Sequence, residues 1–92
     1  MEIVQAHVFI TGFVQGVGFR RYLRHKARKF GAVGWTQNLP DGRVEAVFQG
    51  KKKIVHQMIG FAKRGPFLSD VKTTVLEWEK PAETFTEFVI CW

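Results

Sequence analysis

The hydrophobic period of the chain changes from two to about 3.6 across a short glycine-rich segment, and this constrains the fold more than any other feature. Upstream, Val4, Ala6, Val8 and Ile10 alternate with Gln5, His7, Phe9 and Thr11, which predicts a strand with one strongly apolar face. The segment Gly12-Phe13-Val14-Gln15-Gly16-Val17-Gly18 interrupts regular pairing. Beyond it Phe19, Tyr22, Leu23, Ala27 and Phe30 recur at helical spacing, with Arg21, Arg24, Lys26, Arg28 and Lys29 on the remaining positions. The spacing predicts an amphipathic helix, and Gly31 supplies a left-handed stop.

Two β-like runs follow, Val33 to Asn38 and Arg43 to Gln49, joined through Leu39-Pro40-Asp41-Gly42. Asp-Gly between alternating runs is a hairpin signal, because the turn needs residues that tolerate positive φ. From Gly50 the pattern is again helical, with Ile54, Met58, Phe61 and Ala62 in one stripe and Gly65-Pro66 as its end. Lys51-Lys52-Lys53 at its start is poorly placed against the helix dipole. Alternating runs over 71–79 and 85–92 complete the chain. The order is strand, helix, strand, strand, helix, strand, with one further strand. Short connections and right-handed crossovers then favour an α+β, ferredoxin-like (βαββαβ) sandwich, with two helices on one face of a four- to five-stranded antiparallel sheet.

Ninety-two residues make one domain, 1–92, and nine Phe with three Trp give it enough apolar bulk for a core without metal or disulfide. The single cysteine, Cys91, excludes an internal disulfide and, within an alternating run, reads as a small buried hydrophobe. With no secretory h-region and no run of membrane-spanning length, the expectation is a soluble cytoplasmic protein with no membrane partner. Fourteen Lys and Arg against eight Asp and Glu give a net charge of +6, a field that attracts anions without choosing among them.

The chemistry is most legible over Gln15–Arg20. Glycines let backbone N–H groups converge on one point, a helix N-terminus adds unpaired N–H groups, and Arg20 adds a planar cation. These parts make a receptor for a tetrahedral oxyanion; they equally describe an ordinary tight strand-to-helix turn. The segment lacks the Lys-Ser/Thr pair of a P-loop, and Arg21 stands where a dinucleotide fingerprint requires its third glycine. An RNA-recognition sheet would carry stacking aromatics on its central strand, but that strand reads Arg43-Val44-Glu45-Ala46-Val47-Phe48-Gln49, so no nucleic-acid partner is expected. His7, His25 and His56 have no carboxylate or second histidine at ligand spacing, and no carboxylate cluster marks an Mg²⁺ site; no metal and no cofactor are expected. Trp35, Trp78 and Trp92 could touch a substrate but read first as core or surface packing residues, and Arg43 as a solvated or substrate-steering cation.

The stretch Gly12-Phe13-Val14-Gln15-Gly16-Val17-Gly18-Phe19-Arg20 resembles the acylphosphatase signature, in which glycine, valine, Gln-Gly-Val, phenylalanine and arginine fall in this order. A second signature of that family is similar to Gly34-Trp35-Thr36-Gln37-Asn38, followed by Asp41-Gly42-Arg43-Val44-Glu45 and Gly50. Thr36 departs from the small apolar residue expected there. The resemblance covers most of the chain and implies hydrolysis of the carboxyl–phosphate bond of a small acyl phosphate, releasing a carboxylate and inorganic phosphate. It further implies a phosphate cradle made by the backbone N–H groups of Gln15, Gly16, Val17, Gly18, Phe19 and Arg20. Arg20 would be the principal cationic ligand, and Asn38 the residue that positions the attacking water. A monomer is the expected state. Related domains also occur within larger maturation enzymes that handle carbamoyl phosphate, and a non-catalytic anion sensor would use the same cradle.

Overall fold

Apolar side chains at alternate strand positions and at helical spacing form complementary surfaces, and the computed structural model, which describes residues 2–92, packs them together. The elements are β1 (Ile3–Phe13), α1 (Phe19–Phe30), β2 (Val33–Asn38), β3 (Val44–Lys51), α2 (Lys52–Arg64), β4 (Asp70–Glu79) and β5 (Phe88–Cys91). The strands form one sheet in the order β4-β1-β3-β2-β5. Ala6, Val8 and Ile10 of β1 and Val44, Ala46 and Phe48 of β3 are buried under the helices. Phe19, Leu23 and Ala27 of α1 meet this surface, as do Val55, Met58, Ile59 and Ala62 of α2. Each large aliphatic or aromatic side chain buried here contributes about 1.5–3 kcal/mol. In α2 the buried stripe includes Val55 and Ile59, while Ile54 and Phe61 are only partly buried against the core.

Four strands are antiparallel as expected, but β5 runs parallel to β2, pairing Gly34 with Phe88 and Thr36 with Ile90, so the sheet is mixed. The cause lies in the path of the chain. Strand β4 is at one edge and β5 at the other, so the connection crosses the end of the sheet at which β4 finishes and β2 begins. Gln49, buried on β3, pins this crossing: its amide donates to the Glu83 carbonyl at 2.7 Å and accepts from the Phe85 N–H at 3.0 Å. The Gly34 N–H then takes the Glu87 carbonyl at 3.0 Å. Entering from that end, β5 can only run alongside β2 in the same direction.

Strand β5 is also shorter than the alternating run predicts. Cys91 is exposed rather than buried, because this edge strand carries it on the face of the sheet that the helices do not cover. Among the described residues, no helix is long and apolar enough to cross a membrane.

Candidate active site

The direction of the strands brings two distant segments to one end of the sheet. Strand β1 rises to Phe13 and delivers the turn at Val14–Gly18, while β2, running the same way after α1 has returned, ends at Asn38. Gly16 and Gly18 hold φ of 76° and 78°, and an added Cβ at either would meet nothing within 4 Å. The left-handed conformation is therefore what requires glycine there, not space. Val14 is fully buried and anchors the turn to the core.

Helix α1 starts directly from Gly18 with no side-chain cap and no acidic residue in its first turn. Its first N–H groups remain without intrahelical partners, and the positive end of its dipole is not neutralised. Arg20 and Arg21 occupy this turn. With Gly16, Gly18, Phe19 and Asn38 they line a depression of about 200 Å³, completed by Val14 and Trp92. Of the residues singled out from the sequence, Gly16, Gly18, Phe19, Arg20 and Asn38 are brought together at this depression. Asn38 Oδ1 is buried and has no hydrogen-bond partner among the described residues.

Two other residues of the expected cradle do different work with their side chains. The Gln15 carboxamide turns away and donates to the carbonyls of Leu39 and Arg43 at 2.8 and 2.9 Å, fastening the turn to the β2–β3 hairpin. Val17 packs against the core from a partly buried position. Thr36, the departure from the family pattern, is fully buried, and its hydroxyl donates to the Glu45 carbonyl at 2.9 Å. Its polarity is satisfied by a carbonyl of β3 and not by Asn38. Arg43 points elsewhere: its Nε lies 2.8 Å from Asp41 and its guanidinium 5.1 Å from the Phe9 ring centroid. The Arg43 backbone N–H, aided by the guanidinium, holds the Asp41 carboxyl below its ordinary value.

The contact of Trp92 with Arg20 is what sequence reasoning missed. Trp92 is 81% exposed, outside the core, and the Arg20 guanidinium carbon lies 4.4 Å from its ring centroid. A terminal aromatic in an alternating run gives no signal of a partner more than seventy residues away. A larger groove of about 460 Å³ beside β5, lined by Trp35, Phe85 and Cys91 among others, has no Lys or Arg in its wall. Among the described residues no group of three or more His, Cys, Asp and Glu side chains is arranged to hold a metal ion.

The fold is that of a ferredoxin-like α+β sandwich, with an uncapped helix N-terminus and an arginine at its first strand-to-helix turn. The acylphosphatase family model matches residues 6–90. The chain belongs to the acylphosphatase family of hydrolases. It is 46% identical over 92 residues to an acylphosphatase of Chloroflexus aurantiacus, covering 100% of both chains. It is 49% identical over 81 residues to one of Thermococcus kodakarensis, covering 88% of this chain and 89% of the other. The crystal structure of an acylphosphatase from Bacillus subtilis superimposes with a TM-score of 0.92 at 30% identity, covering 97% of this chain and 99% of that one.

Proposed function

We propose that this enzyme hydrolyses acyl phosphates at the Val14–Gly18 turn, with the loop amides and Arg20 holding the phosphoryl group and Asn38 holding the attacking water. The observation that carries the reading is that Arg20 and Asn38 line one small depression at the start of helix α1. The Asn38 carboxamide offers N–H donors and an oxygen acceptor, and hydrogen bonds of either kind would fix the position of a water beside it.

Phosphoryl transfer through a loose transition state needs positioning and charge stabilisation more than covalent help. Amides from 15–20 and the Arg20 fork meet the equatorial oxygens. The water oxygen forms a bond to phosphorus as the bond to the acyl oxygen breaks, and the carboxylate leaves with the electron pair. Its conjugate acid has a pKa of about 4–5, so it departs unprotonated and no general acid is needed. The neutral Asn38 amide is no base near pH 7, and the water's proton passes to a phosphate oxygen of the substrate. Carboxylate and inorganic phosphate are the products, and the enzyme acts as a monomer in the cytoplasm on a small substrate.

The test is hydrolysis of benzoyl phosphate in EDTA by wild type, Arg20→Gln and Asn38→Ala. Arg20→Gln should lose both turnover and phosphate affinity, while Asn38→Ala should lose kcat with phosphate affinity retained. Wild-type kinetics in a folded Arg20→Gln protein would remove Arg20 from the site, and equal losses of kcat and phosphate affinity in Asn38→Ala would make that residue structural.

A further inference from the structure

An arginine that must meet a phosphoryl group with its N–H fork has to be held in place by something that leaves the fork free. A carboxylate partner would take the same N–H donors and cancel the charge that the anion needs. Among the described residues, the ion pairs of the structure use Arg28, Arg43, Lys72 and His7, and none uses Arg20. What lies against Arg20 is the indole of Trp92, with the guanidinium carbon 4.4 Å from the ring centroid.

We propose that Trp92 is a positioning residue for Arg20, its indole stacking on the guanidinium and fixing it beside the cradle without occupying a single hydrogen-bond donor. The inference rests on the phosphate-cradle reading above and adds a residue to it. A cation over a ring is attracted to the π face, whereas all five N–H donors of the guanidinium lie in its own plane. The two contacts are thus geometrically independent, and Arg20 can satisfy both at once. Arginine has large rotamer freedom, and restricting it before the anion arrives reduces the entropy lost on binding. Burial does not account for the placement of Trp92, since 81% of the residue is exposed. Both residues line the same depression of about 200 Å³.

The experiment compares wild type with Trp92→Ala, Trp92→Leu and Trp92→Phe, measuring kcat and KM for acetyl phosphate and benzoyl phosphate and the inhibition constant of inorganic phosphate. Trp92→Ala and Trp92→Leu should raise KM and the phosphate inhibition constant about 2- to 5-fold, to the same extent for both substrates. Trp92→Phe, which keeps a π face, should recover most of the loss. A Trp92→Leu protein equal to wild type would overturn the proposal, as would a loss confined to benzoyl phosphate, which would make the indole a contact for the acyl group. Because the side chain is exposed, the variants should keep the wild-type Tm to within about 2 °C. If wild type does not turn over either substrate, or Arg20→Gln is as active as wild type, the cradle reading itself fails. That outcome is separate from failure of the indole alone.

Discussion

The Gln15 side-chain amide donates to the Leu39 carbonyl at 2.8 Å, and this bond spans the gap between the glycine turn and the hairpin that ends at Asn38. With its companion to the Arg43 carbonyl, it sets the distance between the proposed phosphate ligands and the proposed water ligand.

Gln15→Ala should therefore damage catalysis more than stability. Both carbonyls keep backbone partners, Leu39 from the Gly42 N–H at 3.1 Å and Arg43 from the Leu39 N–H at 2.8 Å, so neither is orphaned by the change. The cost in a urea titration should be about 1–2 kcal/mol. Misplacing reacting groups by a fraction of an ångström is worth more, and kcat/KM should fall about 10-fold or further. Unchanged kcat/KM with the stability loss present would mean that the turn and hairpin keep their spacing without this side chain.

Asn38→Ala should be no less stable than wild type. The substitution deletes a buried oxygen that no donor among the described residues satisfies, so no hydrogen bond to it is lost from the fold while turnover is lost. Urea midpoints of the two proteins, set beside their kcat values, check this. A destabilisation above about 1 kcal/mol would show that Asn38 contributes to the fold through contacts that outweigh its unpaired oxygen.

Local signals were legible where chemistry and structure are local. The period change around Gly12–Gly18, the helix stop at Gly31 and the Asp41-Gly42 turn all rest on residues within one turn or two of each other, and β1, α1, β2 and β3 lie where these patterns put them. Partnerships across strands were not. His7 has no carboxylate at any regular spacing, yet Glu45 and Glu79 reach it from both neighbouring strands. Alternation tells which residues share a face but not which face is covered, and Cys91 is exposed for that reason. The parallel entry of β5 depends on the Gln49 clasp, a contact made 34 and 36 residues along the chain.

Gly34 gives a test of how tightly the β2–β3 pair is set. A Cβ there would fall 1.9 Å from the Val47 carbonyl oxygen, and the φ of 137° is closed to ordinary L residues. The obstacle is backbone of the adjacent central strand, which cannot swing aside as a side chain could. Gly34→Ala should fail to fold or lose several kcal/mol. Gly16→Ala, with open space around it, should lose only about 1 kcal/mol through its positive φ. Equal urea midpoints for the two variants would mean that the strands separate to admit the methyl group.

His7 makes stability depend on pH in a direction that the hydrogen bonds dictate. Its Nδ1 is 2.8 Å from Glu79 and its Nε2 2.6 Å from Glu45, and a neutral imidazole has only one N–H to offer two carboxylates. Gln5 and Gln37 hold the outer oxygens of Glu79 and Glu45, and Glu77, opposite His7 on β4, adds a further exposed carboxylate. Burial opposes the imidazolium, but hydrogen bonds to Glu79 and Glu45 outweigh it, and the pKa of His7 rises above 6.5. The His7 hydrogen bond, with that from Gln5, lowers Glu79 below 4.5. A raised imidazole contributes stability that is complete below 6.5 and lost as pH climbs through the folded-state value. A depressed carboxylate contributes stability that is present above 4.5 and lost as pH falls. The cluster thus favours the fold most between those values, and the Tm of wild type should decline as pH rises above 6.5 through the folded-state value of His7. In His7→Gln, which cannot change its charge, that decline should flatten, and identical slopes in the two proteins would show that other groups carry the dependence.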